Sequence, residues 1–355
     1  MAIQKKGDNK MKNTNYVPVH NANIPKRNTM PILKNAISRN GLMISTDLEC
    51  TLFTPSVLPE GVYKIVGKNF VSSPDDILAF PPTTGIIENF NRSISITAGP
   101  ELLRELIEAV KYCSKELSRP IFTGINLEIS PGTVKIAATD GKCIFQKTLK
   151  VETTGVNEGE TESSIIGVKQ FDLIKRVKPD RLTIYLESDR SMAVAGNIQV
   201  ISHSIVGRYP QYSRAIQNKM EKVIKINRKD WLSAIKELLP FAKGLDIPRL
   251  QIDIDELTVK NYEEGIELTI PVNADISETA TFGVSTLDNM VLLMPLRQYM
   301  RNEKGELTNK ALPGSKEFKL DVNIKFLDRI LRSLQSDYVN VLYLTGSDGL
   351  AIVEV

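Results

Sequence analysis

SISITAGPELLRELIEAV, residues 93–110, passes from alternating apolar and polar side chains into apolar residues recurring every three or four positions. The first pattern has the period of a strand with one buried face, the second that of an amphipathic helix, with a short polar turn between them. The same succession returns three times: SSIIGVKQFDLIKRV at 163–177, KVIKINRKDWLSAIKELL at 222–239 and FKLDVNIKFLDRILRSL at 318–334. Strand-like segments follow each copy, among them GINLEISPGTVKIAATDG at 124–141, DRLTIYLES at 180–188, RLQIDIDELTVKN at 249–261 and GLAIVEV at 349–355. A strand, a helix and two or three antiparallel strands, used four times, predict an α+β layer architecture and not a doubly wound parallel sheet. Two such units make a domain. The sequence therefore predicts one domain over 92–217 and a second over 222–355, separated by the polar Gln217–Glu221, with an insertion at about 279–316.

Each helix pairs its apolar stripe with a basic outer face. In the first, Leu102, Leu103, Leu106, Ile107, Val110 and Cys113 form the stripe, while Arg104, Lys111 and Lys115 share the other side with Glu108. The third places Lys229, Lys236 and Lys243 opposite Leu232, Ile235 and Leu239; the fourth places Lys325, Arg329 and Arg332 opposite Phe326, Ile330 and Leu334; the shorter second carries Lys169, Lys175 and Arg176. On a single helix such a face is ordinary solvation. Recurrence on four equivalent helices points to a shared anionic ligand, and a phosphate backbone can be neutralised without any base being read.

Composition narrows the classes further. At 355 residues the chain exceeds what one core usually fills, and 42% hydrophobic with 25% charged residues is ordinary for a globular protein. No apolar run is long enough for a membrane span and the basic, polar start lacks a secretion signal's apolar stretch, so a cytoplasmic protein is expected. Cys50, Cys113 and Cys143 have no paired metal spacing and are odd in number, which fits reduced packing thiols. Asp47, Glu49 and Asp140 stand at strand ends in separate repeats, without the pairing a metal-dependent nuclease needs. No catalytic residue, metal or cofactor is expected, and His20 falls in a stretch expected to be irregular.

Several phrases together resemble the bacterial DNA polymerase III beta sliding clamp family. ELSRPIFTGINLEI (116–129), KIAATDGKCIF (135–145) and SIVGRYPQYSRAI (204–216) are similar in order and spacing to that family's second domain. MPILKNAI (30–37) and GLMISTDLEC (41–50) resemble its first, and DVNIKFLDRILRSL (321–334) its third. The resemblance implies a clamp fold of three similar domains, with helices inside and antiparallel sheets outside, two subunits closing a ring round duplex DNA. The chain would be a processivity factor and not an enzyme, with sequence-independent DNA contacts from Arg27, Arg104, Lys111, Lys115, Lys236, Lys325, Arg329 and Arg332. It also implies a pocket that binds short apolar motifs of polymerase and clamp loader. Carried over by position, that pocket comprises Phe122, Thr139, Gly141, Lys142, Ile144, Pro210, Arg214, Ala215, Asn323 and Phe326.

Three features depart from the family. Residues 1–29 show no helical stripe and are expected to be irregular. Residues 30–91 are too few for a whole first domain, which is expected to be reduced, leaving open a clamp-derived regulator that keeps the pocket without encircling DNA. The family's terminal Met-Pro-Met-Arg-Leu strand is absent from the end, yet MVLLMPLRQYM stands at 290–300. Val291–Leu293 are expected to form a strand there, with Met294, Pro295 and Leu296 rebuilding the pocket wall.

Overall fold

The computed structural model describes residues 16–25, 30–82, 87, 89–211, 220–242, 249–252, 256–261, 266–272, 274–278, 289–293, 300–301, 307–308, 320–344 and 349–354. The chain folds as two compact units: one takes the chain up to Ile136 together with Leu149–Tyr209, the other takes Ala137–Thr148 and the chain from Pro210 onward.

The first unit begins with a helix, α1 (Val17–Asn23), where the sequence reading expected irregular chain. Its buried side chains are Val17, Val19, His20 and Asn23. Half of the seam is polar, which is why hydrophobic periodicity does not reveal it. Ser45 and Thr54 hydroxyls satisfy the two His20 ring nitrogens at 2.8 and 2.9 Å, and Asn23 Nδ2 donates to the Ser45 carbonyl at 2.8 Å. Burial without charge compensation pushes the His20 imidazole down to about 3, so it sits neutral in the core. A short 3-10 turn, Pro31–Lys34, leads into β1 (Asn35–Arg39), β2 (Leu42–Thr46), β3 (Cys50–Pro55), β4 (Gly61–Val66) and β5 (Asn69–Ser73). Asn40 and Gly41, both at positive φ, close the β1–β2 hairpin, the conformation an Asn-Gly pair adopts at least cost.

The repeat proper follows as β6 (Ile94–Ala98), α2 (Pro100–Val110), β7 (Gly124–Ser130), β8 (Thr133–Thr139), β9 (Cys143–Lys150), β10 (Glu152–Thr154), β11 (Glu162–Gly167), α3 (Val168–Ile174), β12 (Leu182–Leu186), β13 (Arg190–Ala195) and β14 (Ile198–His203). Pro100 stands in the first turn of α2, where its missing amide costs nothing, and Glu101 caps the Gly99 amide at 3.0 Å. Leu102, Leu103, Leu106 and Ala109 are buried, and each leucine contributes roughly 1.5–3 kcal/mol by leaving water. Ten strands form one sheet in the order β10-β6-β12-β13-β14-β3-β2-β1-β4-β5. Ile37, Ile44, Phe53 and Val62 pack with Met192 and Ile201 in one core, so residues 30–82 are welded to the repeat through β14 and β3. Beyond β4, the described residues continue as β5 and a 3-10 turn at Ile77–Ala79 where the repeat has a helix and three strands.

The second unit contains β15 (Met220–Asn227), α4 (Arg228–Leu238), β16 (Arg249–Ile252), β17 (Glu256–Asn261), β18 (Ile266–Pro271), β19 (Ala274–Glu278), β20 (Asn289–Leu293), β21 (Met300–Arg301), β22 (Leu307–Thr308), β23 (Leu320–Asn323), α5 (Ile324–Ser333), β24 (Tyr338–Leu344) and β25 (Gly349–Glu354). Asn227 and Asn323 are helix N-caps, their side-chain oxygens accepting amides of the first turns of α4 and α5 at 3.0 Å. Trp231, Ile235 and Leu238 of α4 and Ile324, Leu327, Ile330 and Leu331 of α5 are buried.

Strand pairing reveals the repeat better than sequence does. In the first unit β10-β6-β12-β13-β14 are neighbours; in the second β19-β15-β24-β25-β20 are neighbours in the same antiparallel order. β20 thus holds the place of β14, although it precedes α5 in the chain whereas β14 follows α3. The strand expected over Val291–Leu293 is present. It runs between β9 and β25, with Leu292 opposite Ile144 and Leu293 opposite Cys143. That pairing draws the hairpin tip 137–148 into the second unit.

Candidate partner-binding site and helix faces

Thr139–Cys143 connect β8 to β9 in a turn that ties itself together. Thr139 Oγ1 donates to the Cys143 carbonyl (2.7 Å) and accepts the Gly141 amide (3.0 Å). Asp140 Oδ1 accepts the amides of Lys142 and Cys143, both at 2.9 Å. Gly141 has φ +85°, the left-handed conformation glycine reaches without a Cβ penalty. Thr139 and Cys143 are buried, Lys142 is exposed and Ile144 is half-buried. Burial pushes the Cys143 thiol up to about 12, and Cys50 likewise, so both are protonated and inert near neutral pH.

The free side of this turn meets α5. Asp140 Oδ2 lies 3.5 Å from an Arg329 terminal nitrogen. The half-buried Phe326 ring has the Lys142 ammonium at 5.9 Å and the Arg329 guanidinium at 4.9 Å from its centre. An aromatic ring with two cations near its face, on the helix capped by Asn323, can seat an apolar side chain and face an acidic neighbour. The structure therefore brings Thr139, Gly141, Lys142, Ile144, Asn323 and Phe326 together within one unit. Phe122 is half-buried in the 3-10 turn Pro120–Thr123 of the first unit, and Pro210 opens the second. Arg214, Ala215, Met294, Pro295 and Leu296 lie outside the described residues.

Among the proposed DNA contacts, Arg104, Lys111, Lys115, Lys236, Lys325 and Arg332 are exposed, and Arg27 lies outside the described residues. Arg104 pairs with Glu105 at 3.1 Å, Lys111 with Glu108 at 2.6 Å and Arg332 with Asp328 at 2.9 Å. Glu105 and Glu108 are tucked in, at 12% and 16% exposure, so the cations are outermost. Arg329 departs from expectation: a quarter exposed, it packs against Asp140 and Phe326 instead of joining the solvent face. Helical spacing placed it there, but the carboxylate on the turn competes for it.

The same turn occurs once more, and sequence reading overlooked the match. Thr46 Oγ1 donates to the Cys50 carbonyl (3.1 Å) and accepts the Leu48 amide (3.1 Å), while Asp47 Oδ1 accepts the amides of Glu49 and Cys50 (3.1 and 2.8 Å). Asp47 Oδ2 pairs with Lys169 of α3. The signal was on view: Thr-Asp, two residues, Cys, at 46–50 and again at 139–143. Among the described residues no three His, Cys, Asp or Glu side chains gather as a metal site. No helix among them is long and apolar enough to cross a membrane.

Residues 98–211 match the family model described as DNA polymerase III beta subunit, central domain. The beta sliding clamp of Chlamydia muridarum is 24% identical over 160 residues, 44% of this chain and 43% of that protein. That of Staphylococcus aureus is 22% identical over 235 residues, 64% of this chain and 60% of that one. The chain thus spans less than two-thirds of the curated relatives it matches. In fold, the Bacillus subtilis DNA polymerase sliding clamp is similar with a TM-score of 0.71 at 16% identity, and the Thermotoga maritima DNA polymerase III beta subunit with 0.70 at 14%, each over 96% of both chains. The central segment thus matches the central domain of the DNA polymerase III beta subunit, and the duplicated strand-and-helix units and antiparallel sheets share the fold of the solved beta sliding clamps.

Proposed function

We propose that this chain is a clamp subunit, non-enzymatic and cytoplasmic, that encircles duplex DNA as a homodimeric ring and tethers a polymerase and a clamp loader through the site at Lys142, Ile144 and Phe326. Its domains would be residues 30–91, reduced, then 92–217 and 222–355. The observation that carries the reading is the aromatic platform on α5 beside the 139–143 turn, in a chain whose equivalent helices expose Arg104, Lys111, Lys115, Lys236, Lys325 and Arg332. Cations on regular helices suit a phosphate backbone, and contacts of that kind let a ring slide. A clamp-derived regulator that does not encircle DNA is the second reading. It is favoured by the described residues after β4, which continue as β5 and a 3-10 turn where the repeat has a helix and three strands.

Retention on nicked circular duplex, after incubation with a clamp loader, separates the two. A ring elutes with the circle, is released on linearisation and has twice the chain mass by light scattering; a regulator remains free and monomeric. Ile144→Asp should abolish binding of a fluorescein-labelled hexapeptide carrying adjacent Leu and Phe while leaving the circular dichroism unchanged. Full affinity in that variant removes the peptide site from the reading.

A further inference from the structure

Arg329 stands at the crossing of two interactions that converge on the turn. One oxygen of Asp140 organises the backbone by accepting the Lys142 and Cys143 amides, and the other faces Arg329 at 3.5 Å. The Arg329 guanidinium also lies over the Phe326 ring, one helical turn before it, at 4.9 Å. Through these contacts α5 holds Asp140, Asp140 holds the turn, and the turn carries Lys142 to within 5.9 Å of the centre of the same ring.

We propose that Arg329 is a positioning residue of the peptide site: it fixes the 139–143 turn against α5, and so sets the spacing between Lys142, Ile144 and Phe326 in which a partner's apolar anchor is seated. The inference rests on the peptide-site reading above. It assigns Arg329 to partner recognition and removes it from the DNA-facing cations. Asp140 and Arg329 are 17% and 25% exposed, so their attraction is screened less than that of Arg104 with Glu105 on the surface. A guanidinium can lie flat on an aromatic ring while its edge meets a carboxylate; an ammonium is a point charge and does one of these well. Lys at this position should therefore keep the ion pair and lose the stacking.

The test uses the full chain with Arg329→Met, Arg329→Lys, Asp140→Asn and the double variant Asp140→Asn/Arg329→Met. Asp140→Asn keeps the oxygen that accepts the turn amides and removes the charge that faces Arg329. Affinity for the labelled Leu-Phe hexapeptide is read by anisotropy, and retention on nicked circular duplex is read across a salt series. Arg329→Met should weaken the peptide about tenfold, Arg329→Lys by less, and the double variant no more than Arg329→Met alone. Amide exchange at Lys142 and Cys143 should accelerate, while DNA retention and its salt dependence stay as in the parent. Unchanged peptide affinity in Arg329→Met, alongside its abolition in Ile144→Asp, overturns the assignment and leaves the site standing. A loss of DNA retention like that of Lys325→Met, with peptide affinity intact, also overturns it. Unchanged affinity in Ile144→Asp removes the site and this inference with it. Arg329→Lys and the thermal midpoint of each variant distinguish lost positioning from lost folding.

Discussion

The turns Thr46–Cys50 and Thr139–Cys143 share four backbone-fixing hydrogen bonds, a neighbouring strand in the same register and a helix cation on the second aspartate oxygen. They differ in what lies beside them. Counting from the helix N-caps Gly167 and Asn323, α3 has Gln170 where α5 has Phe326. Gln170 is fully buried, donating to the Val200 and Ser191 carbonyls at 2.7 and 3.2 Å and accepting the Ser191 hydroxyl at 2.9 Å. The first turn is further backed by α1, whose Asn23 Nδ2 reaches the Cys50 carbonyl at 3.3 Å. The first copy has thus been consolidated as core and the second kept open round an aromatic ring. Duplication supplies the frame, and one helix position decides between mortar and binding surface.

Acid gives the largest expected effect, and it falls on the first copy. The folded-state pKa of His20 is depressed, so the unfolded chain takes up its proton first: stability is complete above the ordinary value of 6.5 and falls as the pH drops towards about 3. The loss should approach about 1.4 kcal/mol per pH unit in that window, with denaturant midpoints following it, and should shrink in His20→Gln. A flat profile would mean that α1 does not bury its histidine. Next in size, Gln170→Ala strands partners that Gln170 satisfies in a closed core and should cost about 2–3 kcal/mol by denaturant unfolding. A cost near zero would erase the claimed difference between the copies. The smallest effect comes from exchanging the left-handed residues. Leu48 adopts φ +79° where the other copy has Gly141, so Leu48→Gly should gain up to about 1 kcal/mol and Gly141→Leu should lose about 1–2 kcal/mol. Equal signs for the two would show that the turns are not interchangeable.

The periodicities of 93–110, 222–239 and 318–334 were enough to place α2, α4, α5 and the strands before them, because each presents a continuous apolar stripe to a core. α1 escaped because half its buried seam is His20 and Asn23, polar groups stabilised by Ser45 and Thr54 across the chain, and no local pattern announces such partners. The turn at Asp140 and Gly141 is closed by local chemistry, an aspartate accepting amides two and three residues on and a glycine at positive φ, so the Asp-Gly pair itself carries the signal. The true place of Arg329 was not legible, because helical spacing gives a side chain's direction but not the carboxylate waiting in another segment.

The transposed strand β20 also orders events during synthesis. The ten-stranded sheet is complete in sequence once His203 has left the ribosome, whereas β9, paired with β8 on one side, has no strand on its other side until residues 289–293 appear. Pairings that wait on distant chain are slow, and an unpaired strand edge held open meanwhile invites the wrong neighbour. The nascent protein should therefore pass through a stage in which the first unit is folded and the edge of β9 stands exposed, a natural client for a chaperone.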